Sequence, residues 1–206
     1  MCNGYLRRLL SAAACGLSTL AAPAFAAVIF HGDIKAVNNS GVTGSIDLVL
    51  DGTTLEVTIV ASGLEPGNHL RHIHGLSVGD SVIPSLAAAD GDGDGFIEVN
   101  EGAAFWGPVL LNLGNFVVGA DGLLNFNQTF LNAGVVSPLG SRAFVIHGLT
   151  VGAVGGGTPG EVNGIAGYKL ALPVAAADLF QVPEPGTLTL LGLGFVGLAL
   201  TRRRLK

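Results

Sequence analysis

Apolar and polar positions alternate with a period of two along most of this chain. Ile46, Leu48 and Leu50 alternate with Ser45, Asp47 and Val49; Asp51-Gly52 marks a turn; Leu55, Val57 and Ile59 then alternate with Glu56, Thr58 and Val60. That pattern predicts a β-hairpin. Further strands are expected at 28–36, 70–74, 109–113, 115–118, 123–131, 143–147 and 166–173, and residues 151–164, with Gly155-Gly156-Gly157 and Pro159, read as a loop. No long amphipathic helix is visible between residues 27 and 182. Many short strands between Gly-rich turns predict an all-β antiparallel sandwich or barrel.

The two ends break the pattern. Arg7 and Arg8 precede an apolar stretch that ends in Ala24-Phe25-Ala26. This is the form of a secretory signal peptide, with cleavage expected after Ala26. At the other end Val182-Pro183-Glu184-Pro185-Gly186 leads into an uncharged apolar run from Thr187 to Leu200, followed by Arg202-Arg203-Arg204. Pro183 and Pro185 keep the chain around Glu184 extended. The run is near the lower limit for spanning ~30 Å of hydrocarbon, and the arginines should stay cytoplasmic. Expected boundaries are a signal peptide at 1–26, one domain at 27–175, a linker at 176–182 and a tail with a transmembrane helix at 183–206. Both cysteines, Cys2 and Cys15, fall in the removed segment, so the mature protein has no disulfide.

Pro183-Glu184-Pro185, the apolar run and the Arg cluster together resemble the PEP-CTERM sorting signal of Gram-negative bacteria. The resemblance implies export across the inner membrane and transient anchoring. Processing by exosortase, a transpeptidase-like membrane enzyme, then delivers the domain to the cell surface or to extracellular polysaccharide.

Charge narrows the partners. Between residues 27 and 182 there are four basic residues against fourteen acidic ones, a net charge of −10. No basic surface exists to meet phosphates, so nucleic acid is excluded as a partner. Cations are favoured. Residues 90–101, Asp-Gly-Asp-Gly-Asp-Gly-Phe-Ile-Glu-Val-Asn-Glu, fit the EF-hand calcium-loop pattern. Calcium takes six to eight oxygens. Asp90, Asp92 and Asp94 would supply carboxylates, Phe96 a carbonyl, Glu98 a direct or water-mediated oxygen, and Glu101 two oxygens. Gly95 permits the sharp turn, and Ile97 would pin the loop to the core. Pro84 limits the entering helix, while Gly102, Gly107 and Pro108 shorten the exiting one. The loop is therefore expected without its helix pair.

Histidine gives the second cluster of candidates. His72 and His74 form an H-x-H pair, which a strand places on one face, so both rings could grip one metal. Ile146-His147-Gly148-Leu149 echoes Ile73-His74-Gly75-Leu76, and Arg142 lies five residues before His147. His31 and His69 could be further ligands or structural residues. No serine or cysteine triad and no phosphate-binding loop is visible.

The segment Leu64 to Gly75, the acidic loop, Arg142 to Gly148 and Gly167-Tyr168-Lys169-Leu170-Ala171-Leu172-Pro173 resemble a CHRD domain. That resemblance implies a β-sandwich and no defined activity. The H-x-H pair and the later Arg and His are also similar to Cu/Zn superoxide dismutases, whose corresponding histidines ligate copper; His72, His74 and His147 are the matching positions here. The chain departs from that family in lacking a bridging histidine, a zinc cluster and disulfide cysteines. Two functions are thus expected as alternatives. One is a non-enzymatic, exosortase-sorted surface or matrix domain stabilised by calcium, on a Cu/Zn-superoxide-dismutase-like or immunoglobulin-like sandwich. The other is a periplasmic or surface metalloprotein with a superoxide-dismutase-like copper site, or one holding zinc.

Overall fold

The computed structural model describes residues 27–153, 160–183 and 192–195. The expected signal peptide, Glu184, Pro185 and most of the apolar run lie outside the described residues. Among those described, no helix is long and apolar enough to cross a membrane.

Nine strands form the body: β1 Val28–Ala36, β2 Thr43–Asp51, β3 Thr54–Ser62, β4 Gly67–His74, β5 Val109–Val118, β6 Leu124–Phe130, β7 Ala143–Val151, β8 Gly167–Asp178 and β9 Phe180–Gln181. Two short helices, α1 Leu86–Ala89 and α2 Val99–Trp106, lie in the long excursion between β4 and β5. Every pairing is antiparallel, and the order is β5-β4-β7-β8-β1-β2-β3-β6, with β9 added beside β1. The hairpin expected from alternation is β2–β3, in register from Thr43↔Ser62 to Asp51↔Thr54. Its apolar positions Ile46, Leu48, Leu55, Val57 and Ile59 are fully buried.

The architecture corrects the expected sandwich. The strands form one continuous antiparallel sheet that curls into a nearly closed barrel, not two separate sheets. Strand β1 makes the join: residues 28–34 pair with β2, while Lys35 and Ala36 pair with Ala176 and Ala175 of β8. Neither an immunoglobulin-like nor a superoxide-dismutase-like sandwich is supported. A second correction concerns residues 176–182, expected as a linker. Residues 176–178 belong to β8, and Phe180 and Gln181 pair with His31 and Phe30 of β1. Ala175, Ala176 and Ala177 are fully buried, because both faces of β8 are covered here.

There are two apolar clusters, one on each side of the sheet. Inside the barrel lie Phe30, Ile46, Leu48, Ile59, Ile73, Phe144 and Ile146 among others. Outside it, Ala143, Val145 and Ala176 pack with Ile97 and Trp106 of the 75–108 excursion. That double covering explains why β7 is buried at almost every position and reads as a continuous apolar run. The excursion is therefore a lid on the outer face of β4, β7 and β8.

Candidate functional site

Strand parity sorts the β4 side chains. His69, Arg71 and Ile73 share one face, while His72 and His74 share the other with Ala143 and Val145 across the β7 ladder. Leu70 faces His147 in the same ladder. Irregularities in pairing flank these positions: between Leu70 and His72 and between Ile73 and His74 on the β5 side, and on both sides of His147 against β8. Bulges of this kind re-aim side chains. Pro173, which has no N–H to give the ladder, is the β8 partner of His147.

The result is a three-histidine cluster under the lid. One ring nitrogen each from His72, His74 and His147 lies within 4.8 Å of the others. Ring centroids are 5.1 Å apart for His72–His147, 5.7 Å for His72–His74 and 6.0 Å for His74–His147. His74 Nδ1 donates to the Gly107 carbonyl at 2.9 Å and His147 Nδ1 to the Ala171 carbonyl at 2.6 Å. With Nδ1 carrying the proton, Nε2 of both rings presents a lone pair. Those two Nε2 atoms and His72 Nδ1 are buried and have no hydrogen-bond partner. Burial holds His74 down at about 4 and His147 at about 3, and lowers His72 as well. Neutral rings with the outer N–H tied to a carbonyl are the state a metal ligand requires. Three imidazoles suit copper or zinc. The indole of Trp106 closes over His74 at 6.3 Å.

The other histidines do not join. His69 is buried, and its two ring nitrogens face the carbonyls of His147 and Glu65 at 3.0 and 2.9 Å. His31 pairs with Asp47 at 2.7 Å and Asp33 at 3.3 Å. The Asp47 hydrogen bond is the main reason its pKa is raised. Arg142, five residues before His147, is bonded to three carbonyls, those of Val136, Leu76 and Ser137.

The acidic loop lies at the opposite end of α2. Asp90, Asp92 and Asp94 each bring an oxygen within 4.8 Å of the others. Asp90 accepts from the N–H groups of Gly93, Asp94 and Gly95, which winds the loop around it. Gly95 sits at φ +88°, as the sharp turn needs. Ile97 is buried beneath, and Asn38 clamps it by accepting from its N–H and donating to its carbonyl. Burial raises the Asp94 carboxyl, and the charges of Asp92, Asp90 and Glu101 add to the rise. Its Oδ2 is buried without a partner.

The two glutamates also serve the start of α2. Glu98 is 3% exposed and accepts from the Val162 N–H at 2.5 Å, and burial raises its pKa. Glu101 accepts from the N–H groups of Gly91 and Glu98 and completes a capping box with Glu98 at the start of α2. Helix capping thus uses the carboxylate oxygens assigned to the ion, and neither glutamate belongs to the 4.8 Å group. The Phe96 N–H donates to Asp94 Oδ1 at 2.9 Å. The flanking helices are four and eight residues long, so no EF-hand helix pair is present.

Several contributors escaped sequence reasoning. The Gly107 and Ala171 carbonyls orient ligands through backbone atoms, which no residue type marks. Trp106 lies against Gly102, where any Cβ would overlap the indole. Arg71 is 2% exposed, donates to the Leu113 and Gly114 carbonyls, and stacks between Phe116 of β5 and Phe126 of β6 at 4.7 and 3.9 Å. It bridges the two strands at the ends of the barrel's order. Its inward parity with Ile73 was a usable signal.

Comparison with known proteins bears on the tail. A search of curated proteins finds no match. The model of the PEP-CTERM protein-sorting motif matches residues 181–204. That match implies that the chain is an exported protein, sorted at the membrane by exosortase toward the cell surface.

Proposed function

We propose that this chain is an exported β-barrel domain that holds metal ions at the cell surface or in extracellular polysaccharide and does not turn over a substrate. The observation that carries the reading is the set of three buried, partnerless ring nitrogens of His72, His74 and His147. Leaving buried polar atoms unpaired costs about 1–3 kcal/mol each, and one copper or zinc ion would satisfy all three. Calcium in the acidic loop is the second part of the proposal. Three clustered aspartates repel until a cation joins them, and Asp90, Asp92 and Asp94 offer hard oxygen ligands.

The metal part is tested by the metal content of purified full-length protein. Stoichiometric copper or zinc, lost in His147→Ala, supports it; no uptake overturns it. The sorting part is tested by Glu184→Ala in a host with exosortase. Wild type should lose its C-terminal segment and appear as a smaller released species, while the mutant stays full length in the membrane. Equal retention of both would leave a plain tail anchor.

A second reading is a copper centre with superoxide-dismutase-like chemistry, favoured by the orientation of His74 and His147. Copper would supply the electron transfer there. Superoxide turnover by the copper-loaded protein, abolished in His147→Ala, would establish it.

A further inference from the structure

The three histidine nitrogens meet where no anion stands. The cluster contains histidines alone, whereas the aspartates form a separate group. The electrostatic influences on His74 and His147 are burial, one carbonyl hydrogen bond each, and the other histidines. Among the described residues, no carboxylate belongs to the 4.8 Å group. Beside them on the same face are Ala143 and Val145, with Trp106 above; Asp178 lies one strand beyond Ala143, where it accepts from the Ile83 N–H.

A cation bound here keeps its whole charge, since neutral imidazoles donate lone pairs and neutralise nothing. The cost of taking an ion out of water grows with the square of its charge, so a divalent ion pays about four times what a monovalent ion of equal size pays. Coordination number acts in the same direction. Zinc takes four ligands, with water or substrate completing a three-ligand set. The described residues offer three nitrogens, and carbonyls fix the rings of His74 and His147. A three-coordinate, singly charged ion needs nothing further.

Resting on the reading that these histidines hold a transition metal, we infer that the centre selects monovalent copper over divalent zinc. Selectivity is set by a ligand group that includes no carboxylate. Replacing one imidazole with a carboxylate should shift it. His72 is the least buried of the three, so a shorter acidic side chain is accommodated there.

The test is a pair of competition titrations on the full-length protein in detergent, without oxygen. One sets the protein against a chromophoric chelator of monovalent copper, the other against a chromophoric chelator of zinc. The expected result is one equivalent of monovalent copper, bound at least about tenfold more tightly than zinc. His72→Asp should cut that ratio at least about tenfold, with a circular-dichroism melt reporting that the variant is folded. Zinc bound as tightly as copper by wild type would overturn the inference and leave a metal centre in place. Uptake of neither metal would overturn the proposed function itself. An unchanged ratio in folded His72→Asp would contradict the charge argument. If that variant does not fold, the wild-type ratio alone decides.

Discussion

The two ends of α2 carry two different groups of proposed cation ligands. At its C-terminal end the rings of His74 and His147 are 6% and 4% exposed and held by backbone carbonyls, with His72 half-buried beside them. At its N-terminal end the ligands are carboxylates at the surface, held by N–H groups of their own loop. An eight-residue helix separates them, a rise of about 12 Å. The histidine end is organised by the barrel: its three rings come from β4 and β7, and its geometry exists without an ion. The aspartate end is organised locally, and like charges oppose its closure until a cation arrives. A buried neutral site selects by charge and softness; an exposed acidic loop selects hard cations by oxygen count. One lid thus carries sites that should bind different metals and fail independently.

The strongest way to break this comparison is to remove a ring. His147→Ala should lower copper or zinc affinity at least about a hundredfold, measured by competition titration, while leaving calcium binding unchanged. A joint loss of both metals would show that the two sites are one cooperative unit.

A pH series comes next. In the metal-free protein His74 and His147 stay neutral down to about 4 and about 3, while the unfolded rings take protons near 6.5. Between those values the unfolded chain binds more protons. Stability should therefore be level above about pH 6.5, fall as pH drops below it, and level off once the folded rings are protonated. For His74 alone the full span is on the order of 3 kcal/mol. Chemical denaturation from pH 8 to 4 measures it, and His74→Gln should flatten the slope. The aspartate end bends the opposite way: burial and neighbouring charge raise Asp94, so its protonation relieves repulsion as pH falls.

Calcium should give a slightly smaller effect. At a hundredfold excess over Kd an ion binding only the folded form adds about 2.7 kcal/mol. For a domain of this size that is a rise in Tm of roughly 5–10 °C. Asp90→Asn with Asp94→Asn should abolish the rise without altering copper uptake. Equal melting with calcium and with chelator would remove the calcium site from the account.

The smallest effect sharpens the boundary between the sites. Asn38 ties the acidic loop to the barrel, accepting from Ile97 N–H and donating to the carbonyls of Ile97 and Pro173. Its backbone is left-handed at φ +56°, so Asn38→Gly removes the side chain without backbone strain. Calcium affinity should drop by roughly three- to tenfold from loosening the loop, read by calorimetry. Copper affinity should not move.

Much of this was legible in the residues. Alternation marked β2 and β3 because one face of each strand is buried and the other wet. The H-x-H spacing put His72 and His74 on one face, and the echo at Ile146-His147 located the third ring. What sequence could not show was long-range pairing. The join of Lys35 and Ala36 to β8 turns an expected sandwich into a barrel, and nothing local encodes it. Ala175-Ala176-Ala177 looked like a linker because alanine has weak strand preference; here small size lets the lid and the core both approach. The capping box that Glu98 and Glu101 form was not read from the sequence, because the same residues also fit the calcium-loop pattern.

The central claim is that one lid covers two independent cation sites of opposite chemistry. The most direct measurement is elemental analysis of the full-length protein after equilibration with equimolar calcium and copper, then desalting. The account predicts one copper and one calcium per chain. His147→Ala should lose only copper, and Asp90→Asn with Asp94→Asn only calcium. Wild type holding neither metal, or either variant losing both, would contradict it.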